Sequence, residues 1–250
     1  MVNAGSARKE VQVKVFAISD LHLSGGLQKP MDVFGPHWRD HFARISEDWR
    51  ARVSPEDLVL LPGDFCWAMQ LSQAMDDLRA VAALPGTKVL LRGNHDFWWS
   101  SISRVRAALP DGMLALQNDA IVTERAVLCG TRGWLCPGDS ALSADDLRVY
   151  QREVARLQLS LECAEKKRAE ARARGVELPL LAMLHFPAFC DAEIPSGFTE
   201  LLEAHEVPLC IYGHLHGPGL ATAYNGKLRG VEYKLVSCDG LGFKLTELMG

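Results

Sequence analysis

The sequence predicts an α/β fold, on three observations. Short apolar runs of strand length, rich in Val, Ile and Leu, recur along the 250 residues, and segments long enough to form helices separate the first three. One long segment carries apolar residues at spacings of three and four, which is typical of a helix that covers a core. The tail from 220 to 248 alternates apolar and polar residues and contains glycine, which predicts a meander of antiparallel strands.

The order of the segments predicts a parallel β-α-β-α-β unit at the start, because right-handed crossovers through helices join parallel strands. This unit comprises strand 11–19, helix 36–52, strand 58–62, helix 71–83, strand 87–92 and helix 98–109. The segments expected after it are strands 113–117, 120–123 and 126–130, helix 143–174, strand 180–185, helix 197–205 and strand 208–212. The long helix is expected to end in solvent before Gly175, since its last ten residues lack an apolar stripe.

Composition limits the classes of protein that fit. A hydrophobic content of 48% and a charged content of 23% are ordinary for a globular chain, which predicts one domain over 10–250 and a disordered end over 1–9. The net charge of −4 gives no basic footprint for nucleic acid. The N-terminal residues MVNAGSARKE contain no apolar run, so a signal peptide is not expected. The longest apolar stretch, 178–190, is interrupted by two prolines and a histidine, so a membrane span is not expected either. Seven cysteines without a Cys-x-x-Cys pair indicate reduced thiols and a cytoplasmic protein.

Five of the apolar runs are followed at once by side chains that can bind metal ions. These side chains are Asp20, His22, Asp64, Asn94, His95, Asp96, His185, His214 and His216. Because ligands bind outside the carboxyl ends of the strands in open α/β sheets, we expect the side chains to converge. Oxygen and imidazole donors suit Zn, Fe or Mn better than Cu(I) or an iron–sulfur cluster, which prefer thiolates.

In order and spacing these motifs resemble the calcineurin-like metallophosphoesterase superfamily. The motifs are Asp20-Leu21-His22, Gly63-Asp64, Gly93-Asn94-His95-Asp96, a lone His185 and Gly213-His214-Leu215-His216. The resemblance implies a four-layer α-β-β-α sandwich of two mixed sheets with flanking helices, with the tail meander in the second sheet. It also implies a metal-dependent phosphohydrolase that cleaves a phosphomonoester or phosphodiester bond of a small soluble substrate, by attack of a metal-bridging hydroxide.

The resemblance further implies a centre of two divalent or trivalent transition-metal ions, Mn, Fe or Zn. Asp64 takes the bridging position by its place in the motif. The remaining implied ligands are Asp20, His22 and His216 for one ion and Asn94, His185 and His214 for the other.

The residues beside the implied ligands have roles that differ in kind. His95 would face the substrate as general acid or as stabiliser of the transition state. Asp96 either orients a neighbouring group or caps the next helix. Arg92 either contacts phosphate or forms a structural ion pair. The Asp-Arg pair that follows Gly-Asp in the serine/threonine protein phosphatases is missing after Asp64, so that branch is disfavoured and the partner that orients His95 is not identified.

Candidate substrate contacts follow a different strand. Arg132 and Trp134 lie in a Gly-Thr-Arg-Gly-Trp turn, where glycine allows close approach to the metals. Arg132 could contact a phosphate or an acidic leaving group through its planar fork, and Trp134 either lines the pocket or packs in the core. Trp67 likewise either lines the pocket or packs in the core, whereas core packing is favoured for Trp98 and Trp99.

Two other functions use the same features. A non-catalytic metal-binding or protein-interaction module on this fold would show degraded motifs, and here every ligand position is filled. A nuclease would need a basic groove, which the acidic composition does not supply. The enzyme is therefore the favoured interpretation.

Overall fold

A computed structural model describes residues 12–24, 29–138, 142–191 and 194–250. The predicted N-terminal end over 1–9 lies outside the described residues. Within these residues, eleven strands form two sheets, one of five strands and one of six. The strands are β1 Val15–Ala17, β2 Leu58–Pro62, β3 Thr87–Leu91, β4 Met113–Leu116, β5 Ala120–Val122, β6 Val127–Thr131, β7 Leu180–Leu184, β8 Leu209–Tyr212, β9 Gly226–Leu228, β10 Val231–Leu235 and β11 Thr246–Met249.

The described part of the chain also forms five α-helices and three short 3-10 helices. The α-helices are α1 His41–Arg52, α2 Leu71–Ala82, α3 Ile102–Ala108, α4 Ala144–Arg172 and α5 Gly197–Ala204. The 3-10 helices are Met31–Phe34, Pro36–Trp38 and Gly217–Thr222. Predicted helix 36–52 is thus α1 preceded by a separate 3-10 turn. The chain takes a left-handed conformation at Asp40, with φ 52°, and this interrupts the helix.

The first sheet confirms the predicted parallel unit. Its strand order is β11-β1-β2-β3-β4, in which β1 to β4 run parallel and β11 pairs antiparallel with β1. The second sheet has the order β5-β6-β7-β8-β10-β9, with β6, β7, β8 and β10 parallel and an antiparallel strand at each edge. Both sheets are therefore mixed.

Alternate residues of the central strands belong to different apolar clusters, which establishes the layers. Leu58 and Leu60 of β2 pack in a cluster shared with strands of the second sheet, such as Leu181 of β7. Val59 and Leu61 pack instead with α1, α2 and α3. The outer face of the second sheet packs against α4 and α5. Since side chains alternate between the two faces of a strand, the sheets pack face to face with helices outside, and the expected four-layer sandwich is confirmed.

The expectation that the whole tail belongs to the second sheet is wrong. β9 and β10 join that sheet, but β11 crosses to the first sheet and pairs with β1 through Thr246, Glu247 and Met249. Pairing there covers β1, which is buried on both faces and would otherwise present an open edge. Among the described residues, no helix has the length and apolar character that crossing a membrane requires.

Candidate metal centre

Four of the side chains identified in the sequence follow strands on residues with left-handed backbone. The φ angle is 59° at Asp20, 43° at His22, 52° at Asp64 and 73° at His214. This conformation is uncommon for residues other than glycine and costs on the order of 1–3 kcal/mol each. The sharp turns lie beyond the carboxyl ends of β1, β2 and β8, and they bring side chains from separate strands together.

Close packing explains the glycine of two motifs. A Cβ atom on Gly93 would collide with the backbone nitrogen and Oδ1 of Asp64. A Cβ atom on Gly213 would collide with Oδ2 of Asp20. A larger residue at either position would therefore displace a buried carboxylate.

Asp20, His22 and His216 form one group of donor atoms. His216 Nε2 lies 3.1 Å from Asp20 Oδ1 and 3.4 Å from His22 Nε2. Asp20 is fully buried, and its carboxylate also accepts hydrogen bonds from Ser237 Oγ and from the backbone nitrogen of His214, each at 3.1 Å. The three donor side chains lie close enough together to bind one ion.

Asn94, His185 and His214 form a second group. Asn94 Oδ1 lies 2.7 Å from His185 Nε2 and 3.0 Å from His214 Nδ1. Asp64 lies between the two groups, with Oδ2 3.4 Å from His185 Nε2 and 3.8 Å from His22 Nε2. A carboxylate in that position can contact ions on both sides.

Two further contacts orient the histidine rings. His185 Nδ1 lies 3.0 Å from the carbonyl oxygen of Pro62, which leaves Nε2 facing Asn94 and Asp64. His216 Nδ1 lies 2.9 Å from Asp239 Oδ1, in the carboxylate–histidine arrangement common beside metal sites. Asp239 was missed in the sequence because it follows no apolar run that ends in a recognised motif.

Asp96 orients the loop that carries Asp64. Its carboxylate accepts hydrogen bonds from the backbone nitrogens of Asp64 at 3.0 Å, Phe65 at 2.9 Å and Gly93 at 2.7 Å, and from Trp98 Nε1 at 2.9 Å. The next helix begins at Ile102. The helix-cap alternative is therefore wrong, and the orienting role is the one the contacts support.

The protonation states of the histidines indicate a site that favours bound cations. Burial lowers the pKa of both His22 and His214 to about 4, so these imidazoles are neutral at physiological pH. Burial also opposes protonation of His185, but the Asp64 carboxylate raises its pKa to about 9. In the absence of a metal ion, the proton on His185 thus balances the negative charge of Asp64, which a bound metal ion would otherwise balance. The oxygen and nitrogen donors fit Zn, Fe or Mn, and neither donor group includes a cysteine among the described residues.

His95 lies beside the donor groups and faces a groove. Its backbone nitrogen donates to Asp64 Oδ1 at 2.8 Å, and its ring lies 4.7 Å from the ring of Trp67. Among the described residues, the His95 ring has no hydrogen-bonded carboxylate. The groove has a volume of about 300 Å³ and is mainly apolar. It is lined by His22, Met31, Phe34, His37, Trp38, Trp67, His95, His216, Gly217 and Pro218.

The other tryptophans and Arg132 have distinct environments. Trp98 and Trp99 are buried, as expected. Trp134 is partly buried, and its ring lies 5.1 Å from that of Phe186, which in turn lies 3.9 Å from the ring of His214. The Arg132 guanidinium packs over Trp134 and lies 3.5 Å from Glu153 rather than among the donor groups.

Comparison with known proteins agrees with the family that the sequence motifs resemble. A model of the calcineurin-like phosphoesterase family matches residues 13–218. A protein of Ralstonia nicotianae described as UDP-2,3-diacylglucosamine hydrolase is 33% identical over 224 residues, which cover 82% of this chain and 78% of the relative.

Two solved structures are similar over most of their length. A protein of unknown function from Aquifex aeolicus has a TM-score of 0.49 and 16% identity, over 94% of this chain and 96% of that one. A phosphopantetheinyl hydrolase from Mycobacterium tuberculosis has a TM-score of 0.47 and 14% identity, over 90% of this chain and 88% of that one.

Proposed function

The chain belongs to the calcineurin-like phosphoesterase family and is a metal-dependent phosphoesterase, and we propose that it hydrolyses a phosphate ester of a small substrate at a centre of two metal ions. The position of Asp64 carries the proposal. Its Oδ2 lies within 4 Å of histidines from both donor groups, at 3.4 Å from His185 and 3.8 Å from His22. A shared carboxylate between two sets of ligands is what a two-metal site requires.

Each side chain of the centre has a part in the proposed reaction. Asp20, His22 and His216 would hold one ion, Asn94, His185 and His214 the other, and Asp64 both. When bound, the ions supply activation of water and neutralisation of the phosphoryl charge. Asp239 and the Pro62 carbonyl keep His216 and His185 in the tautomers that present Nε2. Asn94 contributes a neutral oxygen, which limits the negative charge that an incoming phosphate meets.

His95 would donate the proton that the leaving oxygen needs. His95 belongs to neither donor group, and its ring lines the groove. Gly93, two residues before His95, donates its backbone N–H to the Asp96 carboxylate, and this hydrogen bond positions the loop. Trp67 packs against both His95 and His22, with ring centroids 4.7 Å and 4.8 Å apart, and holds the two rings side by side. The proposed proton donor therefore lines the groove beside the candidate ligand His22.

The groove favours a leaving group with an apolar surface. Met31, Trp38 and Trp67 form its walls, and Phe34, which is 63% exposed, stands at its edge. A leaving group that binds in this hydrophobic groove therefore need not be charged. It is also what an acyl group would require, so the diacylated nucleotide sugar in the name of the Ralstonia relative is the second candidate substrate.

A substrate panel with Mn²⁺ tests the proposal. We expect hydrolysis of small aryl phosphomonoesters or diesters, with rates that rise with the apolar surface of the leaving group. UDP-2,3-diacylglucosamine in the same panel tests the second candidate. Phe34→Ala should raise KM for apolar esters, whereas Leu159→Ala, which removes an exposed side chain from α4 far along the chain, should not. Absence of hydrolysis of every ester by protein loaded with metal would refute the proposed reaction.

A further inference from the structure

A second cavity, lined mainly by polar groups, lies between the two sheets and α4. Its volume is about 230 Å³, and it opens where β3, β4 and β6 end. It is lined by Leu91, Arg92, Leu116, Gln117, Asn118, Thr131, Arg132, Arg152, Glu153 and Arg156. None of the candidate metal ligands is among these residues, so the cavity is distinct from the proposed centre.

The cavity is lined by one carboxylate, that of Glu153, and by the side chains of four arginines. Glu153 is 1% exposed, and its oxygens are already engaged. Arg156 Nη1 lies 2.6 Å from Oε1, and the Thr131 hydroxyl donates to Oε2 at 2.5 Å. Arg132 Nη2 is farther away, at 3.5 Å. Glu153 therefore compensates only part of the positive charge.

Arg92 is partly buried and Arg152 is exposed. In the described part of the chain neither forms an ion pair or a side-chain hydrogen bond, and the buried Nε atoms of Arg92 and Arg132 lack an acceptor. Like charges four residues apart on a helix, as at Arg152 and Arg156, also repel. An anion in the cavity would relieve each of these costs.

We infer that this cavity is a second anion site, which binds a phosphate group through Arg92, Arg132, Arg152 and Arg156. Arginine presents a planar fork that matches two phosphate oxygens at once, and several forks around one point favour a dianion over a single carboxylate. The cavity is smaller than the ~300–1,000 Å³ of most small-molecule sites, which suits one phosphate group rather than a whole cofactor. Gln117 adds an amide whose oxygen is already bound to Trp99 Nε1 at 2.7 Å, so its free NH₂ group can donate.

The site adjoins elements that carry candidate metal ligands. Arg92 precedes Asn94 by two residues, and the carbonyl oxygen of Arg132 accepts hydrogen bonds from the backbone nitrogens of His185 at 3.0 Å and Phe186 at 2.9 Å. The bound phosphate therefore has two possible sources. It is either the second phosphate of the substrate or a separate phosphate-bearing ligand.

Calorimetric titration of the full-length, metal-loaded protein with inorganic phosphate tests the site. We expect two classes of phosphate site in the wild type. The double variant Arg92→Gln/Arg152→Gln should lose one class, with binding weakened at least about tenfold for each arginine removed. Because neither arginine has a partner in the described structure, the variant should fold, and a matched melting curve checks this. Arg92→Lys/Arg152→Lys keeps the charge without the fork and should bind phosphate with intermediate affinity.

The matched control is Arg104→Gln/Arg174→Gln, which removes the same charge from exposed positions outside the cavity. It should leave both classes of site intact. A single class of site in the wild type, or equal phosphate binding by the wild type and Arg92→Gln/Arg152→Gln, would overturn the inference. Both outcomes are independent of whether any ester is hydrolysed.

A kinetic arm separates the two sources of phosphate. The wild type and Arg92→Gln/Arg152→Gln are compared on adenosine monophosphate and adenosine diphosphate. A rise in KM for the diphosphate alone assigns the site to the second phosphate of the substrate. Unchanged KM values, together with lost phosphate binding, assign it to a separate ligand.

Discussion

Asp96→Asn should destabilise the centre without touching a candidate metal ligand. Asp96 Oδ2 accepts from the backbone nitrogens of Asp64 and Gly93, and Oδ1 accepts from Phe65, Cys66 and Trp98. An asparagine has a single acceptor oxygen. If that oxygen keeps the Oδ1 contacts, its NH₂ group faces two N–H donors that lose their acceptor.

The size of the effect follows from those two donors. A buried donor left without a partner costs about 1–3 kcal/mol, so the free energy of unfolding should fall by about 2–6 kcal/mol. The donors belong to the loops that hold Asp64 and Asn94, and metal content should fall as well. Burial, reinforced by the Asp64 charge, raises the pKa of Asp96 to about 6. Denaturant unfolding is therefore measured at pH 8, where the wild-type carboxylate is ionised.

A matched variant separates this effect from a general loss of charge. Among the described residues, Asp76, whose side chain is 91% exposed, forms only a surface ion pair with Arg79. Asp76→Asn should therefore change the free energy of unfolding by less than about 0.5 kcal/mol. Wild-type stability and full metal content in Asp96→Asn would refute the orienting role.

Three further predictions follow from the site. His95→Asn should keep both metals and lower kcat by about 10²–10⁴-fold on a poor leaving group, with a smaller loss on nitrophenyl esters; equal losses would point to electrostatic stabilisation rather than proton donation. Trp134→Ala should raise KM for the preferred ester. Because Trp134 is only partly buried, the loss of folding stability should be smaller than the ~3–5 kcal/mol expected for a fully buried tryptophan. A loss of stability of that full size with unchanged KM would instead make Trp134 a core residue. In metal-free protein, hydrogen bonds to Asp20 and Asp239 outweigh burial and raise the pKa of His216 to about 10 from 6.5, so its stabilisation is complete below pH 6.5 and is lost as the pH rises through 10. The melting temperature of chelator-treated protein should therefore fall over that range, less so in Asp239→Asn, and a flat profile would contradict this.

The parallel part of the fold was predictable because its strands are buried on both faces. β2 reads LVLLP and β7 reads LLAML, and all their residues are buried. The position of β11 was not predictable. Its residues, TELM, are only partly buried or exposed, and a weak alternation of this kind does not say which sheet edge the strand will reach.

The donor side chains were predictable for the same physical reason. They follow strands directly, and parallel strands deliver their carboxyl ends to one edge. Asp239 and the apolar groove could not be predicted, because the residues that form them do not follow an apolar run that ends in a recognised motif. Residues 31–38 form two 3-10 turns whose Met31 and Trp38 reach the groove, and short turns carry no periodic pattern. The arginine cavity joins β3, β4, β6 and α4, so it exists only once both sheets are assembled.

The metal content of Asp64→Ala tests the central claim most directly. Elemental analysis of the purified wild type should find two metal ions per chain. In Asp64→Ala both should be lost, while the far-ultraviolet circular dichroism spectrum remains that of the folded protein. Two tightly held ions per chain in Asp64→Ala would contradict a shared Asp64 carboxylate, and with it the proposed two-metal centre.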